Sequence, residues 1–157
     1  MVVPSIELPE HLLQNFQPAY EHASTAIWWR FDDTAYPEPN FFDNPGVLLP
    51  WWSTQLALLA QGAKTVELQF MEGPYALTLR ALDCDLIEVS APPDLPAPIV
   101  VTLPALVRSV QDALSRVAPA FESHPKVQHL AQGLRDTVEE LDRQLLYRER
   151  RARSRDE

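Results

Sequence analysis

Four carboxylates, Asp32, Asp33, Glu38 and Asp43, fall between residues 32 and 43 among three aromatics, Tyr36, Phe41 and Phe42, with Pro37, Pro39 and Pro45 as punctuation. Carboxylates at this density could ligate a hard divalent cation or act as an acid and base pair, with His22 nearby in the chain as a further base. A solvated acidic loop is the alternative reading, because nothing in the local pattern fixes their geometry. The same residues could also serve recognition: aromatic anchors fill pockets on a partner, acids speed encounter with a basic one, and prolines lower the cost of ordering the loop. In the opposing view the aromatics turn inward and anchor a long connection.

Other reactive side chains form no motif. His11, His22, His124 and His129 are scattered, and the last two are five positions apart, which is not the spacing of two ligands on one helical face. Cys84 is the only cysteine and has no basic neighbour to lower its pKa. Glycine-rich phosphate loops, Gly-x-Ser-x-Gly and His-Glu-x-x-His are missing from the sequence. No catalytic residue, metal ligand or cofactor is therefore assigned. Trp28, Trp29, Trp51 and Trp52 could stack a ligand or pack internally. Arg148, Arg150, Arg151, Arg153 and Arg155 make a basic run that Glu149, Asp156 and Glu157 dilute.

The element that must position these groups is a meander between Val66 and Val89. Val66, Leu68 and Phe70 alternate with polar residues, as do Tyr75, Leu77 and Leu79, and pairing Phe70 with Tyr75 brings Leu68 opposite Leu77 and Val66 opposite Leu79. Pro74 has no N–H, so a four-residue loop, Met71 to Pro74, fits better than a two-residue turn. A turn at Leu82 to Cys84 is expected to set Leu79 against Ile87 and Leu77 against Val89. Thr25 to Phe31 reads as a strand at the sheet edge beside the meander, and Ile99 to Val101 as a further strand.

Helices surround that sheet. Pro9 opens a short one that Pro18 ends, and a second is expected from Pro50 to Gln61 with Trp52, Leu56 and Leu59 on its apolar side. After Thr102 as a cap, Leu106, Val107, Val110, Leu114, Val117 and Phe121 predict a helix over 103–121. Val127, Leu130, Leu134, Val138, Leu141 and Leu145 predict its antiparallel companion, and the same stripe could instead form a homodimer through the C-terminal helices. The fold expected is α+β: an antiparallel sheet of four or five strands covered by three helices, as a single domain over 1–147 with a charged, frayed tail at 148–157.

The chain has 157 residues, 13 basic and 22 acidic, for a net charge of −9. The imbalance is local: residues 1–100 hold 3 basic and 13 acidic side chains, and residues 101–157 hold 10 and 9. Such a field repels nucleic acid and anionic membrane surfaces. One cysteine, no signal-like N-terminus and no apolar run of about 20 residues point to the cytoplasm.

Leu49-Pro50-Trp51-Trp52 followed by Phe70-Met71-Glu72-Gly73-Pro74-Tyr75 resembles small bacterial proteins of the toxin-neutralising immunity type over residues 47–90. The resemblance implies a protein partner and offers no catalytic residues to carry over. The functional expectation is a non-enzymatic protein-binding module, most concretely an immunity-type inhibitor that presents Asp32, Asp33, Tyr36, Glu38, Phe41, Phe42 and Asp43 to a basic partner. The alternative is a small metal-dependent hydrolase using the carboxylates of the same loop.

Overall fold

Asn44 and Pro45 start the central helix of the molecule. In the computed structural model, which describes residues 1–156, the Asn44 side chain accepts a hydrogen bond from the Gly46 N–H, and Pro45 occupies the first turn, where its missing N–H costs nothing. The helix, α2, runs Pro45–Ala60, five residues earlier at its start than the expected Pro50, which lies inside it. Gly46 lies close under Phe121: a Cβ there would come within 2.5 Å of the tip of its ring, which would have to shift.

Around α2 the order is β1 (Pro4–Glu7), α1 (Glu10–Leu13), β2 (Thr25–Ala26), β3 (Trp28–Phe31), β4 (Thr34–Tyr36) and β5 (Phe42–Asp43) before it. After it come β6 (Thr65–Gln69), β7 (Ala76–Ala81), β8 (Leu86–Ser90), β9 (Ile99–Thr102), α3 (Leu103–Glu122) and α4 (Gln128–Asp156). The fold is α+β with all strand pairs antiparallel: a four-stranded sheet in the order β6-β7-β8-β9, a three-stranded sheet β1-β3-β4 and a two-stranded pair β2-β5.

The first meander hairpin has the expected register, Val66 with Leu79 and Leu68 with Leu77, and Phe70 N–H donates to the Tyr75 carbonyl at 3.1 Å to close the four-residue loop. The second is displaced by two residues, with Leu79 opposite Val89 and Ala81 opposite Ile87. The reason is that the turn lies one residue later, over Asp83 to Asp85, closed by Leu82 N–H on the Leu86 carbonyl, with Cys84 and Asp85 both in the left-handed region at φ of 57° and 61°. A slip of two keeps every side chain on its face, so Leu77, Leu79, Ile87, Val89 and Val101 are all buried. Leu77→Ala should accordingly cost about 2–5 kcal/mol and Thr78→Ala only a few tenths, a contrast that urea titration measures directly. Equal losses would contradict the register.

The strand expected over 25–31 is the larger correction. It is broken at Ile27, and neither half joins the meander: β2 pairs with β5, while β3 pairs with β1 and β4. Residues 32–46, which show no period, contain β4, β5 and the first two residues of α2. The short helix after Pro9 is a single turn, α1.

Thr102 caps α3 by accepting from the Ala105 N–H, as expected. The α3 and α4 helices form the antiparallel pair, burying Ala131, Leu134 and Leu141 and partly burying Val127, Val138 and Leu145. The stripe is thus used within the chain, leaving Leu130, Leu146 and Tyr147 exposed on α4. The expected tail is a continuation of this helix: Arg148 donates to the Asp85 carboxylate and to the Leu59 and Ala60 carbonyls, and Arg151 to the Gln61 carbonyl. Two cations thereby close the carboxyl end of α2, where the helix dipole favours positive charge. Glu157 of that tail lies outside the described residues. Among them, no helix is long and apolar enough to cross a membrane.

Candidate functional site

An aromatic chain joins the three-stranded sheet and the β6–β7 hairpin to α2. Phe31 stacks on Trp29, Trp29 lies 5.6 Å from Trp52, and Trp52 meets the Phe70 ring edge-on at 5.2 Å. Phe41 and Tyr36 then pack edge-on against both Phe70 and Tyr75. Such tilted pairs are the favourable arrangement of ring quadrupoles.

This chain separates the residues of the 32–43 loop. Tyr36 is 1% exposed, and its hydroxyl donates to the Ala76 carbonyl at 3.1 Å and accepts from the Ala76 N–H at 3.0 Å. Asp43 is also 1% exposed; its carboxylate accepts from the N–H groups of Asn44, Met71 and Glu72 at 2.7, 3.0 and 3.1 Å. Phe41 is half-buried against the core. Asp32 and Asp33 form the exposed turn between β3 and β4, where Asp32 adopts φ 53° and accepts from the Val3 N–H; Glu38 is exposed, and Phe42 is 49% exposed. Of the seven residues, then, Tyr36, Phe41 and Asp43 hold the structure together, while Asp32, Asp33, Glu38 and Phe42 face solvent. Nowhere among the described residues do three or more His, Cys, Asp or Glu side chains gather in a way that could hold a metal ion.

Burial pushes the Tyr36 phenol above its ordinary value, because the phenolate would lose its hydration; the bond to Ala76 opposes this, and Asp94 and Tyr75 add to the rise. A folded-state value raised above the unfolded one contributes stability that is complete below about pH 10 and is lost as pH rises through the folded value. Tyr36→Phe should therefore lower stability by about 1–3 kcal/mol at neutral pH, leaving both Ala76 groups unpaired, and should flatten the alkaline fall in melting temperature. An unchanged alkaline slope would assign that fall to other tyrosines.

A groove does form elsewhere. Trp51, Thr54 and Gln55 of α2 face Glu67 and Gln69 of β6 across a space of about 440 Å³. Its floor is the open edge of the four-stranded sheet. Lys64 and Phe70 bond toward β7, through Ala81 N–H on the Lys64 carbonyl and Phe70 N–H on the Tyr75 carbonyl. By the alternation of an antiparallel ladder, the backbone groups of Thr65, Glu67 and Gln69 point away from β7. The Gln69 carbonyl accepts from the Trp52 indole N–H at 2.8 Å, whereas the backbone groups of Thr65 and Glu67 have no partner among the described residues. Trp51 is 47% exposed on the groove wall, and Met71, also 47% exposed, follows β6 where Asp43 holds the loop.

The sequence pattern identified Glu67 and Gln69 as outward-facing and Trp51 as a stacking candidate, but not their meeting. The strand expected at an edge of the meander pairs elsewhere, and β6 has no neighbouring strand on its outer side. No family model, curated protein or solved structure matches the chain.

Proposed function

We propose that the protein is a non-enzymatic protein-binding module whose contact surface is the groove between α2 and β6 and its rim. The observation that carries this reading is the exposure of Trp51 and Met71 beside an unpaired strand edge, with exposed Phe42 one residue from the Asp43 anchor. Large exposed apolar side chains around a polar floor are a common signature of a binding site on a soluble domain. The 13 acidic against 3 basic side chains of residues 1–100 favour a basic partner and fast, salt-sensitive association. An inhibitor of the immunity type, seated on a basic toxin, fits both features.

The experiment is affinity capture from the source cell with wild-type protein and with Trp51→Ala/Met71→Ala, followed by kinetics on any purified partner. Expected is a basic protein whose dissociation from the double variant is faster, with unchanged melting temperature of the variant. Retention of all captured proteins by the double variant at wild-type levels would overturn the reading.

A further inference from the structure

We infer that the β6 edge holds its partner by strand addition: an extended segment of the partner, alternating basic and apolar residues, becomes a fifth strand beside Thr65–Gln69. This rests on the protein-binding reading above and specifies how that groove is filled. The edge presents the N–H and C=O of Thr65 and Glu67 and the N–H of Gln69, and the Trp52 indole on the Gln69 carbonyl ends the available ladder at that point.

The side chains of an added strand would alternate between two environments. One set faces the same side as Val66 and Leu68, toward the α2 wall of Trp51, Thr54 and Gln55, which suits apolar residues. The other set lies beside Glu67, which is exposed and has no ion-pair partner among the described residues, and suits Lys or Arg. The same carboxylate argues against a second copy of this chain as the occupant. Pairing the whole of β6 antiparallel with itself, Thr65 opposite Gln69, puts Glu67 directly opposite Glu67, and like charges in that position repel.

The test uses a phage-displayed library of random peptides selected on the full chain, with the winning peptide then synthesised. Alternating basic and apolar residues are expected, as is a periodic response to N-methylation: affinity falls about tenfold or more at every second peptide nitrogen and is unchanged between. Glu67→Pro removes an outward N–H while leaving the β6–β7 ladder intact, and should produce a similar loss. Should that variant fold poorly, Glu67→Lys, which alters only an exposed side chain, should turn the selected peptides from basic to acidic.

A library that yields no binder, N-methyl effects without a period of two, or a basic preference that survives Glu67→Lys would each overturn strand addition. Sedimentation showing a wild-type dimer that Glu67→Pro abolishes would overturn it in favour of self-pairing. A natural partner lost by Trp51→Ala/Met71→Ala but bound normally by Glu67→Pro would leave the protein-binding reading standing and remove this one. A partner indifferent to all these changes would remove both.

Discussion

Trp52→Ala should destabilise the protein by about 3–5 kcal/mol, whereas Trp51→Ala, one position away, should change stability by no more than about 0.5 kcal/mol. The two indoles differ only in where α2 points them. Trp52 is fully buried between Trp29 and Phe70, and its N–H is the partner of the Gln69 carbonyl. Its truncation combines the loss of a large apolar surface, a cavity at the junction of the sheets and an unpaired strand carbonyl. Trp51 projects into the groove, so its removal acts on association. Trp52→Phe separates the contributions: ring packing largely survives, the hydrogen bond does not, and a loss of about 1–2 kcal/mol is expected. Chemical denaturation of the four proteins, followed by circular dichroism because the substitutions alter fluorescence, checks the series. Comparable losses for Trp51→Ala and Trp52→Ala would contradict the orientation of α2.

Asp43→Ala should cost about 2–4 kcal/mol and should loosen the 71–74 loop specifically. Three backbone N–H groups converge on one buried carboxylate, two of them from Met71 and Glu72, and no other acceptor replaces it on truncation. Asp43→Asn keeps the volume and one acceptor oxygen, so it should recover part of the loss. Amide exchange gives the sharper measurement: protection at Met71 and Glu72 should fall far more than at Leu77 or Val89. Uniform loss of protection would show that Asp43 contributes only to global stability. Because Met71 belongs to the proposed contact surface, the same substitution should weaken partner binding without touching the groove wall.

These two residues also show what a sequence reveals. The inward set Val66, Leu68, Leu77 and Leu79 was legible because alternation is a local signal and one face of the sheet is buried. The α3 and α4 stripes were legible for the same reason at helical spacing. The start of α2 was missed because Pro50, in an apolar run, is a more conspicuous start signal than Asn44-Pro45 at the end of an irregular stretch. Strands β4 and β5 have 3 and 2 residues, too few to show any period. Asp43 resembled the neighbouring acids because its distinguishing partners lie 28 and 29 positions away. The open edge at β6 was hidden for a similar reason. Whether Thr25 to Phe31 covers it depends on a competition with β1 and β5 that only tertiary structure decides.

The arginine clasp at the end of α2 bears on how the chain is made. Leu59, Ala60 and Gln61 leave the ribosome roughly ninety residues before Arg148 and Arg151, the side chains that take up their carbonyls. Throughout that interval the Ala60 and Gln61 carbonyls lack these donors, the Leu59 carbonyl has only the Gly62 N–H, and α4 cannot yet pack on α3. The central helix therefore reaches its final setting after synthesis has passed the clasp, and the nascent chain should become protease-resistant in one late step rather than element by element.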